Sequence, residues 1–521
     1  MASSSSLFLL CFILCFSSLS VSFSKLVLFP LTHSLSKTQF NNTHHLLKST
    51  STRSSIRFHR HHKKHQQPQY SISLSPGSDY TLSFTLGSNP SQPISLYMDT
   101  GSDLVWFPCS PFECILCEGK STTTTTPPKV SKNATVSCMS RACSAAHSSI
   151  STSDLCAISR CPLDAIETSD CSSFSCPPFY YAYGDGSLIG HLYKDSLSVP
   201  TSVPSLVLPN FTFGCAHAAL GEPVGVAGFG PGLLSLPAQL ATLSPQLGNR
   251  FSYCLVSHSF NQDRVHRPSP LILGRYDDKE KRDSGNDRAE FVYTDILVNP
   301  SHPYYYCVGL EGISIGKRNV PAPEILKRVD GSGSGGTVVD SGTTFTMLPA
   351  SLYDSVVAEF DKRVGRVHKR ASDVEEKTGL GPCYYYDGKV VNVPAVILHF
   401  VGNGSSVALP RRNYFYEFLD GDKKMNVGCL MLMNGGDDEE LSGGPGAILG
   451  NYQQQGFEVV YDLEKKRVGF ARRQCSSLWD RLNRGLWWMA VIFFQKLGWL
   501  FWVRSVELGL GGLTWPQLYT L

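Results

Sequence analysis

From Tyr70 onward the apolar positions fall in short runs rich in β-branched and aromatic residues, broken by Gly, Pro, Ser and Asn. "DYTLSFTLG", "ISLYMD", "PNFTFGC", "PLILG", "YYYCVGLEGISIG", "GTVVD", "AVILHF" and "GFEVVYD" each read as a strand bounded by turn residues. Helical candidates are few, chiefly "LPAQLATL" and "SLYDSVVAEFDKRV". The pattern predicts a mostly β chain of many short strands.

The two ends read differently. "MASSSSLFLLCFILCFSSLSVSFS" holds an apolar core at Leu7–Phe16 followed by small residues, which predicts a secretory signal peptide over 1–24. Residues 25–69 are polar, Ser- and His-rich, end in "RFHRHHKKHQQPQ" and carry no periodic apolar pattern. They are expected to be a solvated, removable prosegment, with His59, His61, His62 and His65 at no fixed metal-ligand spacing. At the other end, "GLWWMAVIFFQKLGWLFWV" is just long enough to span a bilayer. Lys496 near its middle would cost roughly 2.5–3.5 kcal/mol there. The tail 476–521 is therefore expected to be a non-native or unstructured extension, with a membrane anchor and an interfacial helix as weaker alternatives.

A chain of 521 residues with 42% hydrophobic and 17% charged content can bury a large core in two or three domains. The formal charge of +3 hides an asymmetry, because residues 1–69 contain eight Lys/Arg and no Asp/Glu. Without that segment and the tail, residues 70–475 keep 34 basic against 41 acidic residues. A mildly acidic body argues against a nucleic-acid surface. Of 17 Cys, Cys11 and Cys15 belong to the signal segment, and nine of the remaining 15 fall between Cys109 and Cys176. In an exported chain that density predicts a disulfide framework with at least one thiol left over, and it outweighs a zinc reading of Cys114-x-x-Cys117. Sequons at Asn41, Asn133, Asn210 and Asn403 fit the same compartment. "DDKEKRDSGNDR", Asp277 to Arg288, reads as an exposed loop near a domain junction.

Two aspartates follow apolar strand-like runs, in "LYMDTGSDLVWFP" and "GGTVVDSGTTFTMLP". A buried carboxylate is costly unless paired or hydrogen-bonded, so each needs a partner. Aligned on Asp99-Thr-Gly-Ser and Asp340-Ser-Gly-Thr, Pro108 and Pro349 fall at the same offset, and a second apolar-then-Gly element follows each aspartate, "VGVAGFG" and "GAILGN". The chain reads as two copies of one β unit, each contributing one aspartate.

These motifs, with "YAYGDGS", the Cys-rich insert before it and "ILGNYQQQGFEVVYDLEKKRVGFA", resemble the pepsin-like aspartic proteases, in their nepenthesin-type plant branch. The resemblance runs from about Tyr70 to Cys475. It implies a bilobal pepsin-like fold: an N-terminal β lobe over 70–275 carrying the insert, a C-terminal β lobe over 276–475, and an active-site cleft between them. It also implies peptide hydrolysis by Asp99 and Asp340, in which one ionised carboxylate activates a water and one protonated carboxyl donates to the substrate. Gly101 and Gly342 would let backbone amides approach the carboxylates, and Ser102 and Thr343 would hydrogen-bond their outer oxygens. Tyr183 would be the flap tyrosine on a hairpin turning at Gly184, with Trp106 its hydrogen-bond partner; plain core packing is the other reading of Trp106.

No cofactor or metal is implied. "GSGSGG" satisfies G-x-G-x-x-G but precedes a strand, no H-E-x-x-H or P-loop is present, and no Ser–His–Asp set stands out. The expectation is a monomeric aspartic endopeptidase working on protein or peptide substrates at acidic pH, in the extracellular space or vacuole. Its basic prosegment would lie over an acidic cleft and be released by acid or loosened by salt. The alternative is a catalytically silent binding or inhibitor protein on the same scaffold.

Overall fold

The structure, a computed structural model, describes residues 26–33, 43–60, 80–87, 90–117, 127–131, 134–183, 186–199, 206–221, 224–257, 260, 266–274, 291–387, 391–437, 441 and 443–484. The signal segment, the charged run Asp277–Arg288, Gly184, His61, His62, His65, the sequons at Asn41 and Asn133, and the apolar tail from Gly485 lie outside the described residues. Among those described, no helix is long and apolar enough to cross a membrane.

The expected strands form. The first half holds β1 (Val27–His33), β2 (Tyr80–Leu86), β3 (Gln92–Asp99), β4 (Val105–Ile115), β5 (Phe179–Tyr183), β6 (Gly186–Val199), β7 (Leu206–Leu220), β8 (Val226–Gly228), β9 (Arg250–Cys254) and β10 (Ser269–Leu273). The second half contributes β11 (Val292–Asp295), β12 (Thr337–Val339), β13 (Ala447–Leu449), β14 (Phe457–Asp462) and β15 (Arg467–Arg472), with further strands in smaller sheets. Both expected helices are present, Leu236–Leu243 and Ala350–Val364, the latter burying Leu352, Val356, Phe360 and Val364 four residues apart.

One continuous sheet joins the halves in the order β11-β15-β14-β9-β10-β1-β2-β3-β8-β4-β7-β6-β5. The internal repeat is explicit in the pairing. Strand β3 runs parallel to β8, with Asp99 opposite Gly228, and β12 runs parallel to β13, with Val339 opposite Leu449. Each aspartate therefore leaves a buried strand whose neighbour is the second apolar-then-Gly element of the same repeat.

The segment 25–69 departs from the solvated arm the sequence suggests. "VLFPLTH" is β1, which lies between the two parts of the sheet and pairs with β10 (Val27↔Leu273) and β2 (His33↔Tyr80). Thr43–Arg60 is an 18-residue helix, α1, that packs on the C-terminal lobe. Its buried face is made of Leu46, Leu47, Thr50, Ser51, Ser54 and Phe58. Half of those are small hydroxyl residues, so the face has helical spacing without an apolar stripe. The hydroxyls find partners within the helix and across to the C-terminal lobe: Thr50 donates to the Leu46 carbonyl at 2.8 Å, and Ser51 to that of Thr378 at 2.7 Å.

Seven disulfides and one free thiol, the buried Cys307, account for the 15 cysteines outside the signal segment. Cys138–Cys156, Cys143–Cys176 and Cys161–Cys171 knit three short helices of the insert together, while Cys109–Cys215 ties β4 to β7. Cys114 and Cys117 bond to each other, which removes them as zinc ligands.

Candidate active site

Asp99 ends β3, Asp340 directly follows β12, and the two are 4% and 1% exposed, brought together from the two lobes. Their hydrogen bonds are mirror sets. Gly101 N donates to Asp99 Oδ1 at 2.9 Å and Ser102 Oγ to Oδ2 at 2.7 Å; Gly342 N donates to Asp340 Oδ1 at 2.8 Å and Thr343 Oγ1 to Oδ2 at 2.5 Å. One lobe thus repeats the other atom for atom.

The glycines have a more specific reason than amide approach alone. A Cβ on Gly342 would lie 2.4 Å from Asp99 Oδ1, and one on Gly101 2.9 Å from Asp340 Oδ1. Each turn therefore presents its bare Cα to the carboxylate of the other lobe, and any side chain would push the two apart. The intervening residues clamp the turns together. Thr100 Oγ1 accepts from Ser341 N at 2.8 Å and donates to the Val339 carbonyl, while Ser341 Oγ accepts from Thr100 N at 3.1 Å and donates to that of Met98.

Behind Asp340, Gln454 donates to its carbonyl at 3.2 Å and to that of Leu449 at 2.8 Å, and Asn451 donates to the Ser341 carbonyl at 2.9 Å. These residues of "GNYQQQ" anchor the second turn, and all three glutamines are buried. Their sequence signal was a polar run closing an apolar strand, a place where burial demands hydrogen-bond partners.

Between the aspartates sits a residue the sequence reading did not select, Arg57 of α1. Its Nη2 lies 2.6 Å from Asp99 Oδ1 and its Nε 3.2 Å from Asp340 Oδ2, and the side chain is only 11% exposed. For Asp99, burial works to raise the carboxyl, but the Arg57 charge and the bonds from Arg57, Ser102 and Gly101 outweigh it and hold the carboxyl low. For Asp340, burial dominates and the charge of Asp99 adds to it, so the group is pushed up despite Arg57. The pair is split into one readily ionised carboxylate and one that holds its proton.

Trp106 is 1% exposed and belongs to the buried cluster that includes Leu104, Phe179 and Leu188. Strands β5 and β6 form the expected hairpin, with Tyr183 opposite Gly186. Gly184 and Asp185, between the two strands in sequence, lie outside the described residues, as does the Tyr183 side chain.

Residues 80–275 match the family model described as Xylanase inhibitor N-terminal, and residues 305–472 the one described as Xylanase inhibitor C-terminal. A protein of Arabidopsis thaliana named "Probable aspartyl protease" is 64% identical over 482 residues, covering 89% of this chain and 95% of its own length. The chain belongs to the plant pepsin-like aspartic protease family. Another member, aspartic proteinase nepenthesin-1 of Nepenthes gracilis, is 30% identical over 407 residues, or 77% of this chain and 78% of that one. Among solved structures, edgp superimposes with a TM-score of 0.57 at 19% identity, covering 87% of this chain and 96% of its own. Basic 7S globulin from soybean does so at 0.53 and 22%, covering 76% and 93%. At those identities the two structures establish the fold alone. Within the aspartic protease family frame, α1 is the element that stands in the cleft.

Proposed function

We propose that this chain is an aspartic endopeptidase made as a latent proform, with Asp99 and Asp340 as its catalytic pair and α1 as its internal plug. The observation that carries the reading is the mirrored set of bonds from Gly101, Ser102, Gly342 and Thr343, in which a glycine N–H holds Oδ1 and a hydroxyl holds Oδ2 of each carboxylate, so both groups are fixed in matching orientations. A water held between such groups can be deprotonated by one carboxylate while the other protonates the scissile carbonyl and then the leaving nitrogen. In the docked state Arg57 holds Asp99 ionised while burial raises Asp340; once Arg57 leaves, one carboxylate of the pair serves as base and the other as acid. Because the two titrate as a unit, the activity profile reports the pair.

With α1 docked, Arg57 fills the place a water and a peptide would take. Residues 25–69 are then a prosegment whose departure opens the cleft. The Tyr183 hairpin would close over bound peptide, and seven disulfides favour an oxidising compartment such as the extracellular space or vacuole. Protein or peptide chains are the substrates, and the protein works as a monomer.

The descriptions of the matching family models favour a second reading, a protein that binds or inhibits another enzyme. The two readings separate in one titration. A statine-type peptide, which mimics the tetrahedral intermediate, should abolish cleavage of a denatured protein by the acid-treated chain at one equivalent. Absence of any cleavage after removal of residues 25–69 would favour the silent scaffold.

A further inference from the structure

A second polar cluster joins α1 to the C-terminal lobe near the far end of the helix from Arg57. His44 of α1 stands over Asp420, the last residue of the strand Phe415–Asp420, and over Asp422 in the turn that follows. One ligand atom from each of the three lies within 4.8 Å of the others. His44 Nε2 and Asp420 Oδ1 are 3.6 Å apart, too far for a hydrogen bond.

Two atoms here are left over. Asp420 is completely buried, and although its Oδ1 accepts from Asp422 N at 3.1 Å, its Oδ2 is buried with no hydrogen-bond partner. His44 Nε2 is buried and unpartnered as well. A buried carboxylate oxygen without a donor is costly, and the helix brings an imidazole nitrogen to it without making the bond that would relieve it. Lys377 approaches Asp422 at 2.5 Å, so with a neutral His44 the group keeps one net negative charge. Two ligands about 2.0–2.2 Å from a tetrahedral ion stand roughly 3.4 Å from each other, close to the 3.6 Å between His44 Nε2 and Asp420 Oδ1, and an ion there can also be reached by Oδ2 of the same carboxylate.

We propose that His44, Asp420 and Asp422 form a divalent-cation site, of the zinc class by its one imidazole and two carboxylates, that staples α1 to the C-terminal lobe. Three protein ligands leave a fourth position for water. The ion would satisfy Asp420 Oδ2 and His44 Nε2 together and hold the helix that carries Arg57 some 20 Å further along its axis. The other cluster of metal-ligand type, Cys143, His147 and Cys176, is excluded because its cysteines are bonded to each other. The ion-binding claim stands without the protease reading; the consequence for latency rests on it.

The test is a zinc titration of the chelator-treated proform by calorimetry, with hydrogen exchange read across residues 43–60. One ion per chain at micromolar or tighter affinity is expected, weakened at least tenfold in His44→Ala and in Asp420→Asn, with slower exchange in α1 when zinc is present. Asp422→Asn, at an exposed turn, gives the same reading if Asp420→Asn does not fold. Asp99→Asn should leave zinc binding unchanged, which separates this site from the catalytic pair. Absence of saturable binding, or binding unaffected by His44→Ala, would overturn the site. Binding that leaves α1 exchange unchanged would overturn the staple.

Discussion

Thr100 and Ser341 exchange hydrogen bonds across the lobe boundary, each hydroxyl accepting the other's backbone N–H, at 2.8 and 3.1 Å. Both residues are buried, and the aspartates they follow cannot separate while the exchange holds. Ser341→Ala leaves the Thr100 N–H without its acceptor. A loss of about 1–3 kcal/mol in unfolding free energy is expected, together with a fall in kcat larger than any rise in KM. Thermal unfolding and steady-state cleavage of the acid-treated chain check both.

Arg57→Gln removes the cation from between the aspartates while keeping much of the side chain's volume. The uncut proform of this variant should cleave peptide at pH 7, where the parent proform does not. Arg57→Lys, which can satisfy both carboxylates only as a point charge, should be intermediate. A gel of the intact variant beside its activity trace shows whether α1 is still attached when cleavage begins.

Acid should undock α1, and the sign follows from Arg57. In the docked state its charge pulls both carboxyls down, against the rise that burial causes. Asp99, which Arg57 holds at about 2, returns toward the ordinary carboxylate range on undocking, so the undocked state binds more protons there and gains population as pH falls through and below that range; Asp340, raised by burial in the docked state, does not drive the release. Salt at neutral pH should matter much less than the basic composition of residues 1–69 suggests, because the Arg57 contacts are buried and poorly screened. Hydrogen exchange over 43–60 at pH 7 and pH 4, each at low and high salt, reads both effects.

Cys254–Cys475 closes a loop of 221 residues and packs with Leu28 and Leu478. Cys475→Ser should cost about 5 kcal/mol by chain entropy alone. Truncation after Arg484 should leave solubility and activity unchanged, since the buried contacts of this corner come from Cys475 and Leu478. Loss of secretion on that truncation would assign the tail a role in targeting.

Most of the β framework was legible because turn residues bracket each apolar run. "GTVVD" and "GFEVVYD" became Thr337–Val339 and Phe457–Asp462 almost residue for residue. The aspartates were legible because a repeated apolar-Asp-hydroxyl-Gly pattern has few other uses. Helix α1 was not, since Thr50, Ser51 and Ser54 carry its buried face and an apolar-stripe search passes over them. Arg57 and His44 were hidden for the same reason: their roles depend on where α1 docks, which no local pattern encodes. The density of cysteines announced a disulfide framework but not its partners: Cys138 bonds Cys156 and Cys143 bonds Cys176, because connectivity follows the packing of the insert's helices.

The most direct measurement of the account compares the acid-treated parent with Asp99→Asn and Asp340→Asn on one denatured protein substrate, with folding of each checked by thermal unfolding. Each variant keeps the side chain's shape but removes a carboxyl that the pair must share, so cleavage should fall at least a thousandfold in both while the fold is retained. Cleavage near the parent rate by either purified variant would contradict the assignment of Asp99 and Asp340 as the catalytic pair.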